Sequence, residues 1–302
     1  MPRTWDEAVA FAAPGIFVVL WASGFVGAKY GLAYAEPLTF LMLRMGAVVA
    51  LLAVIVVLTR PKWPGAGGIA QSAITGLMVH GLYLGGVFVS LENGLSSGLA
   101  ALIVSLQPVL TSTVANRWLG ERVLARQWLG LALGLIGVYL VLYEKTVTVG
   151  ATPLAWLAII VALLGITIGT FYQKRGGGGI DWRPALCIQY TAAGLLFALG
   201  AFAFETRIVH WMPQFIFALV YLVLVLSLGG IWLFYSLIRR AAATRVTSLF
   251  YLTPPMTALM AWAMFGERLA PLALIGTAVC VVGVFLVNWA PDVKNEASAP
   301  EK

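Results

Sequence analysis

Residues 97–142 read SGLAALIVSLQPVLTSTVANRWLGERVLARQWLGLALGLIGVYLVL, and residues 243–288 are a second copy of them. Sliding the first stretch forward by 146 positions lays Pro108 on Pro254, Gly120-Glu121-Arg122 on Gly266-Glu267-Arg268 and Gly137-Val138 on Gly283-Val284 without a gap. Thirteen of the 46 aligned positions are identical. The chain is an internal duplication.

Composition tells what was duplicated. Hydrophobic residues make up 61% of the 302 positions and charged residues 10%, with a mean hydropathy of +0.94, whereas a soluble domain is roughly 25% charged. A bilayer core about 30 Å thick is spanned by a helix of about 20 apolar residues. Ten such runs follow one another: Phe11 to Tyr34, Pro37 to Leu58, Ile69 to Leu91, Asn93 to Asn116, Gln127 to Tyr143, Pro153 to Tyr172, Pro184 to Phe204, Pro213 to Ile238, Val246 to Phe265 and Leu269 to Trp289. The expectation is an all-α membrane protein with ten transmembrane helices and no separate soluble domain. The first run follows Arg3 but is too long for a signal peptide and has no small-residue cleavage site, so it reads as a retained helix. Cys187 and Cys280 both fall inside apolar runs and read as packed thiols.

The formal net charge of +7 would suit nucleic acid if it were clustered, but it follows the membrane instead. With the amino terminus in the cytoplasm, fourteen Lys and Arg fall inside and four (Lys29, Lys145, Arg207, Arg268) outside, with Arg44 within a helix completing the 19. That bias is the positive-inside signature and places both termini in the cytoplasm. Residues 1–145 and 146–302 then form two five-helix halves joined by a linker, Glu144 to Thr152. Five is odd, so the halves enter the membrane from opposite sides. Inverted repeats of this kind build alternating-access carriers, with substrate held near the midplane between the halves.

Several side chains stand at that depth. The first helix carries Trp21-Ala22-Ser23-Gly24-Phe25, and the sixth carries Gly165-Ile166-Thr167-Ile168-Gly169-Thr170-Phe171; small and hydroxyl residues there allow close helix contact or line a polar path. Arg44 lies seven residues past Pro37, about 10 Å into the second helix. It either pairs with a substrate carboxylate or anchors carbonyls freed at a helix break, and Thr191 holds the matching place in the seventh helix. His80 and Tyr83 share one face of the third helix. No acidic residue occupies the middle of a run, so proton coupling rests on His80 or is absent.

Gln107-Pro108 and Thr253-Pro254-Pro255 interrupt the fourth and ninth helices at equivalent places. Proline frees carbonyls there, which marks a binding site or a kink that shapes packing. Gly130, Gly134 and Gly137 in the fifth helix, and Gly276 and Gly283 in the tenth, form small faces that are expected to close each half. Tyr190, Trp232 and Tyr251 lie near helix centres and either line an aromatic cavity or pack.

Pro108, Gly120-Glu121-Arg122 and Gly130 to Gly137, repeated at Pro254, Gly266-Glu267-Arg268 and Gly276 to Gly283, resemble the EamA repeat of the drug/metabolite transporter superfamily. Trp21-Ala22-Ser23-Gly24-Phe25 and Arg44 are similar to that family's first two helices. The resemblance covers almost the whole chain and implies ten helices, a central cavity and export of small metabolites. Within the superfamily the chain looks most like the YddG-type exporters of aromatic amino acids. It departs from the pattern at Gly165 and Ile166, where the second copy often has tryptophan.

The expected function is export of aromatic and other neutral amino acids from a bacterium across its inner membrane, by a monomer that needs no cofactor. The cavity is expected between the first, third, fourth, sixth, eighth and ninth helices, with His80, Tyr83 and Gln107 on a zwitterionic head group. Facilitated diffusion is the expected energetics, with proton-coupled export as the alternative. A membrane enzyme would need a nucleophile with its base or a metal site; no HExxH, paired carboxylates or Cys/His cluster appears. A channel would show a filter sequence or a ring of like charges, and none is visible.

Overall fold

Proline sets where many of the helices begin. Pro37, Pro153, Pro213 and Pro271 each stand at a first helical position, where the missing N–H would have had no partner inside the helix. The computed structural model describes residues 5–118, 123–145, 150–176, 179–265 and 270–289. Both Gly-Glu-Arg loops, Arg3, Lys294 and Lys302 lie outside the described residues.

The helices are α1 (Trp5–Leu32), α2 (Pro37–Thr59), α3 (Ala66–Gly76), α4 (Tyr83–Glu92), α5 (Ser97–Val104), α6 (Gln107–Trp118), α7 (Ala125–Leu142), α8 (Pro153–Gly176), α9 (Trp182–Phe204), α10 (Pro213–Tyr221), α11 (Ile231–Arg240), α12 (Ala243–Ser248), α13 (Thr253–Phe265) and α14 (Pro271–Trp289). Wide π turns, Leu77–Leu82 and Leu222–Gly230, continue α3 into α4 and α10 into α11, and a 3₁₀ turn, Leu249–Leu252, joins α12 to α13. Seven stretches of the described chain are long and apolar enough to cross a membrane: Pro37–Thr59, Ala66–Glu92, Ala125–Leu142, Pro153–Gly176, Trp182–Phe204, Pro213–Arg240 and Pro271–Trp289. Two shorter apolar helices, Ala12–Gly24 and Leu99–Ala115, accompany them. The protein is a multi-pass membrane protein. Large side chains such as Val57, Phe202 and Phe217 are exposed on its surface, as a lipid-facing surface requires.

Glycines decide how the helices pack. α7 lies antiparallel on α14, with Gly130 opposite Gly283 and Gly137 opposite Gly276; a Cβ on Gly130 would stand 2.6 Å from the Gly283 carbonyl oxygen, and one on Gly276 would stand 2.6 Å from that of Gly137. The sequence reading had these helices closing each half separately, and the structure corrects it. They pack on each other, because glycine faces admit a backbone partner only where both sides are bare. The first helix of each half also crosses over. Gly24 and Gly27 of α1 receive Leu226 and Leu222 of the second π turn, while Gly165 and Gly169 of α8 receive Met78, Val79 and Leu82 at the first. α2 and α9, which occupy equivalent places in the two repeats, pack side by side, with Gly194 set against Met45 and Gly200 against Leu38.

Loops tie the halves at one end. Glu205, just past α9, accepts from the backbone N–H of Leu38 (2.7 Å) and Thr39 (2.6 Å) and from the Thr39 hydroxyl (2.7 Å). It thereby caps α2, whose positive N-terminal dipole favours an anion. In return Glu36 accepts from Thr206 N (2.8 Å), Thr206 Oγ1 (2.7 Å) and Arg207 N (2.9 Å). An isolated bridge between Ala35 and Val209 completes the seam, with His210 N donating to the Tyr34 carbonyl at 2.9 Å.

Two expectations follow from these contacts. Gly137→Ala would push a Cβ to 2.6 Å from Cys280 N and 2.7 Å from Gly276 O, overpacking worth about 1–3 kcal/mol; thermal unfolding in detergent should show the loss. Gly46→Ala, which meets nothing within 4 Å, should show none. The Thr206 hydroxyl, ahead of the Arg207 and Thr206 amides, holds the Glu36 carboxyl below its ordinary value of 4.5. Because the folded value is depressed, the stabilisation is present above the ordinary value and is lost as pH falls through the folded one. Hydrogen exchange at the Thr206 and Arg207 amides, corrected for intrinsic rate, should lose protection on acidification, and Glu36→Gln should remove that pH dependence.

Candidate functional site

Among the described residues, Arg44 of α2 is the most buried charged side chain, 4% exposed. Its Nε donates to the Ser227 hydroxyl at 3.0 Å, and Ser227 lies in the second π turn. The Tyr190 hydroxyl of α9 donates to the carbonyl oxygen of the same serine at 2.7 Å. His80, in the first π turn and 2% exposed, stacks on the Tyr190 ring with centroids 4.3 Å apart and planes 19° apart. Its Nε2 is buried without a hydrogen-bond partner. Tyr83, buried at the start of α4, is engaged by Trp21 and lies within the electrostatic reach of Arg44, as do His80 and Tyr190. Arg44, His80, Tyr83, Tyr190 and Trp21 thus belong to one cluster.

The duplication explains the layout. Tyr190 stands 146 positions after Arg44, and Ser227 stands 146 after Gly81, so equivalent backbone places carry different side chains. Matching Pro37 to Pro184 had pointed to Thr191 as the counterpart of Arg44. Thr191 instead turns outward and bonds its own helix at Cys187 O, while Tyr190 one residue earlier faces the arginine's partner. Widened turns at equivalent positions place His80 and Ser227 beside each other's half, a local irregularity common at functional sites.

The polar network continues toward one end of the bundle. Gln189 donates through Nε2 to Gln173 Oε1 (3.3 Å) and accepts from the Tyr235 hydroxyl (2.8 Å). A small cleft opens beside them, lined among others by Gln71, Ser72, Thr75, Gln173, Gln189 and Tyr235. This end carries the loops before α3 and α9. The opposite end is the one tied by Glu36 and Glu205. An aromatic nest of Phe17, Trp21, Phe234 and Phe250, with centroids 5.1–5.7 Å apart, backs the cluster from α1.

Other singled-out residues sit elsewhere. Gln107 opens α6 after the break at Ser105–Leu106 and donates to Thr170 Oγ1 of α8 at 3.3 Å. Pro108 lies in the first turn of α6; Pro254 and Pro255 lie in the first turn of α13, past the 3₁₀ turn. Ser23 accepts from the Tyr221 hydroxyl at 2.6 Å, joining α1 to α10. Trp232 is 46% exposed on α11. Tyr251 is buried against Gly134, where the glycine leaves room for its ring. The cluster draws on the first, third and eighth of the helices expected to line a cavity, and also on the second and seventh, here α2 and α9. α2 and α9 supply Arg44, Gln189 and Tyr190. Ser227, Gln189 and Gln173 were not singled out by the sequence; Ser227 and Gln189 are polar residues within apolar runs, and Gln173 follows directly on one.

The EamA-like transporter family matches residues 13–143 and, a second time, residues 153–289. The chain belongs to that family. It is 29% identical over 294 residues to the uncharacterized transporter YvbV of Bacillus subtilis, with 93% of this chain and 92% of the relative covered. It is 25% identical to a probable amino-acid metabolite efflux pump of Escherichia coli K12, covering 92% and 96%. The uncharacterized inner membrane transporter YedA of the same strain is 24% identical, covering 92% and 90%. A solved crystal structure superposes with a TM-score of 0.78 at 18% identity over 93% of this chain and 97% of that one, a likeness of fold. The EamA chain thus has a two-repeat membrane fold with a polar cluster where its repeats meet.

Ser227→Ala would remove the acceptor of Arg44 Nε while leaving the carbonyl that Tyr190 uses. A buried donor left without its partner costs about 1–3 kcal/mol, and a charged one stands at the upper end or beyond. Thermal unfolding of the purified variant should show a loss of that size.

Proposed function

We propose that the protein exports amino acids, aromatic and other neutral ones among them, and their metabolites across the bacterial inner membrane by alternating access. The observation that carries this reading is the buried cluster of Arg44, Ser227, Tyr190 and His80, drawn from both repeats at their meeting plane. Polar groups are costly at that depth unless they are used, and carriers of repeated build hold substrate between their repeats. The E. coli relative named as a probable amino-acid metabolite efflux pump supports the substrate class, and YedA, named an inner membrane transporter, supports the location.

In this reading the chain crosses the membrane ten times. Besides the seven long stretches, α1, the α5–α6 pair and the α12–α13 pair each span it. Residues 1–145 and 146–302 are the two repeats, in opposite orientation, which the antiparallel packing of α7 on α14 supports. Both termini are cytoplasmic, as the distribution of basic residues supports, and the Gln71–Gln189 cleft faces the cytoplasm. The carrier works as a monomer in the lipid bilayer and without a cofactor. Trp21, Tyr83 and Tyr190 take the apolar side chain of the substrate, His80 and Arg44 its head group, and Gln107 at the α5–α6 break is a further contact. Flux runs down the gradient, because no carboxylate sits in the membrane interior to carry a proton. The unpartnered Nε2 of His80 favours proton coupling as the second reading.

Uptake of labelled tryptophan, phenylalanine and threonine into proteoliposomes tests both. Saturable flux that ignores an imposed proton gradient is expected. His80→Ala and Tyr83→Ala, correctly inserted, should lower it about ten-fold or more, the equivalent of about 1.4 kcal/mol of binding. Accumulation driven by the gradient would transfer the mechanism to His80, and absence of flux for every amino acid would end the substrate assignment.

A further inference from the structure

Among the described residues, no carboxylate pairs with Arg44. None of the twelve Asp and Glu falls in the interior of an apolar run. Of those at helix ends, Glu36 and Glu205 are occupied by the amides and hydroxyls of Thr206, Arg207, Leu38 and Thr39. The guanidinium spends Nε on the neutral Ser227 hydroxyl, and its terminal nitrogens make no hydrogen bond among the described residues. A buried charge in this condition is tolerated where something else brings the opposite sign.

The surrounding polar atoms have the same bias. The acceptors within the network are in use: the Ser227 carbonyl by Tyr190, Gln189 Oε1 by Tyr235, and Gln173 Oε1 by Gln189. What is left open is Arg44's terminal donors and the buried Nε2 of His80. A carboxylate entering here meets the charge-assisted donors of the guanidinium, with the His80 imidazole beside them. An ammonium entering here meets a cation at close range in a medium that screens it poorly and no carboxylate to receive it.

Resting on the exporter reading above, we propose that the Arg44–His80–Ser227 site selects metabolites with one net negative charge, a carboxylate whose amine is acylated or absent, over zwitterionic amino acids with the same side chain. The site supplies the positive charge and the substrate supplies the negative one, so the pair is neutral when it crosses. Trp21, Tyr83 and Tyr190 contribute aromatic faces to an apolar body in either case. The preference is set by the head group.

Calorimetric binding to the full chain in lipid nanodiscs tests this with three probes of equal ring: N-acetyl-phenylalanine, phenylalanine and phenethylamine. N-acetyl-phenylalanine should bind on the order of ten-fold or more tighter than phenylalanine, the scale of one poorly screened charge contact, and phenethylamine should not bind. Arg44→Gln should level the first two. If that variant does not fold, the wild-type ranking decides alone, together with transport currents on a supported membrane, which distinguish movement of a charged substrate from that of a neutral one. Phenylalanine binding as tightly as its acetylated form would overturn the charge selection and leave the exporter reading intact. Failure of all three probes to bind would overturn the charge selection together with the aromatic part of the substrate assignment.

Discussion

Lipid tails are as apolar as leucine, so a helix gains little by hiding leucine from them, and close contact must hold a membrane bundle together. In this protein that contact runs through glycine. Gly130 on Gly283 and Gly137 on Gly276 bring two backbones together reciprocally, and a methyl group on any of the four would collide with the other chain segment. The same device at Gly24, Gly27, Gly165 and Gly169 seats each repeat's first helix on the other repeat's π turn. His80 and Ser227 are positioned by this frame, because the π turns pressed against those glycines carry them.

The frame is repeated and the chemistry is not. Arg44 and Tyr190 occupy places 146 positions apart and converge on one residue, Ser227, one with its guanidinium and the other with its phenol. A symmetric pair of arginines would have doubled the buried charge, and a symmetric pair of tyrosines would have removed it. The duplication thus supplied two equal scaffolds, on which a site with one charge was built by divergence at a few positions.

Much of this was legible in the residues. The duplication shows in Pro108 and Pro254, the apolar runs show in composition, and Arg44 and His80 stand out because their types are costly at their depth. The partners of those residues were not legible. Ser227 lies in LVLVLSLGG, where a serine reads as a small packing residue until the π turn rotates it toward Arg44. Tyr190 was displaced by one place because aligning the two opening prolines gives a spacing of 147, while the helices meet in register at 146. Tyr251 could either line a cavity or pack, and its contact with Gly134 could not be foreseen, because the facing glycine lies in the other repeat. Periodicity tells how deep a residue lies, but which neighbour it meets depends on the other half of the chain.

The crossed pairing of the halves has a bearing on synthesis. Arg44 waits for a serine 183 residues later, Ser23 for a tyrosine 198 residues later, and Gly134 for a cysteine 146 residues later. When the first five apolar runs have left the ribosome, none of these groups yet has its partner. The nascent half therefore stays in the bilayer as loosely associated helices with a buried cation, held by whatever water and lipid head groups reach it. Only emergence of the second half completes the glycine contacts between the repeats, so their assembly waits on its synthesis. A chain halted between the repeats would be a target for membrane quality control.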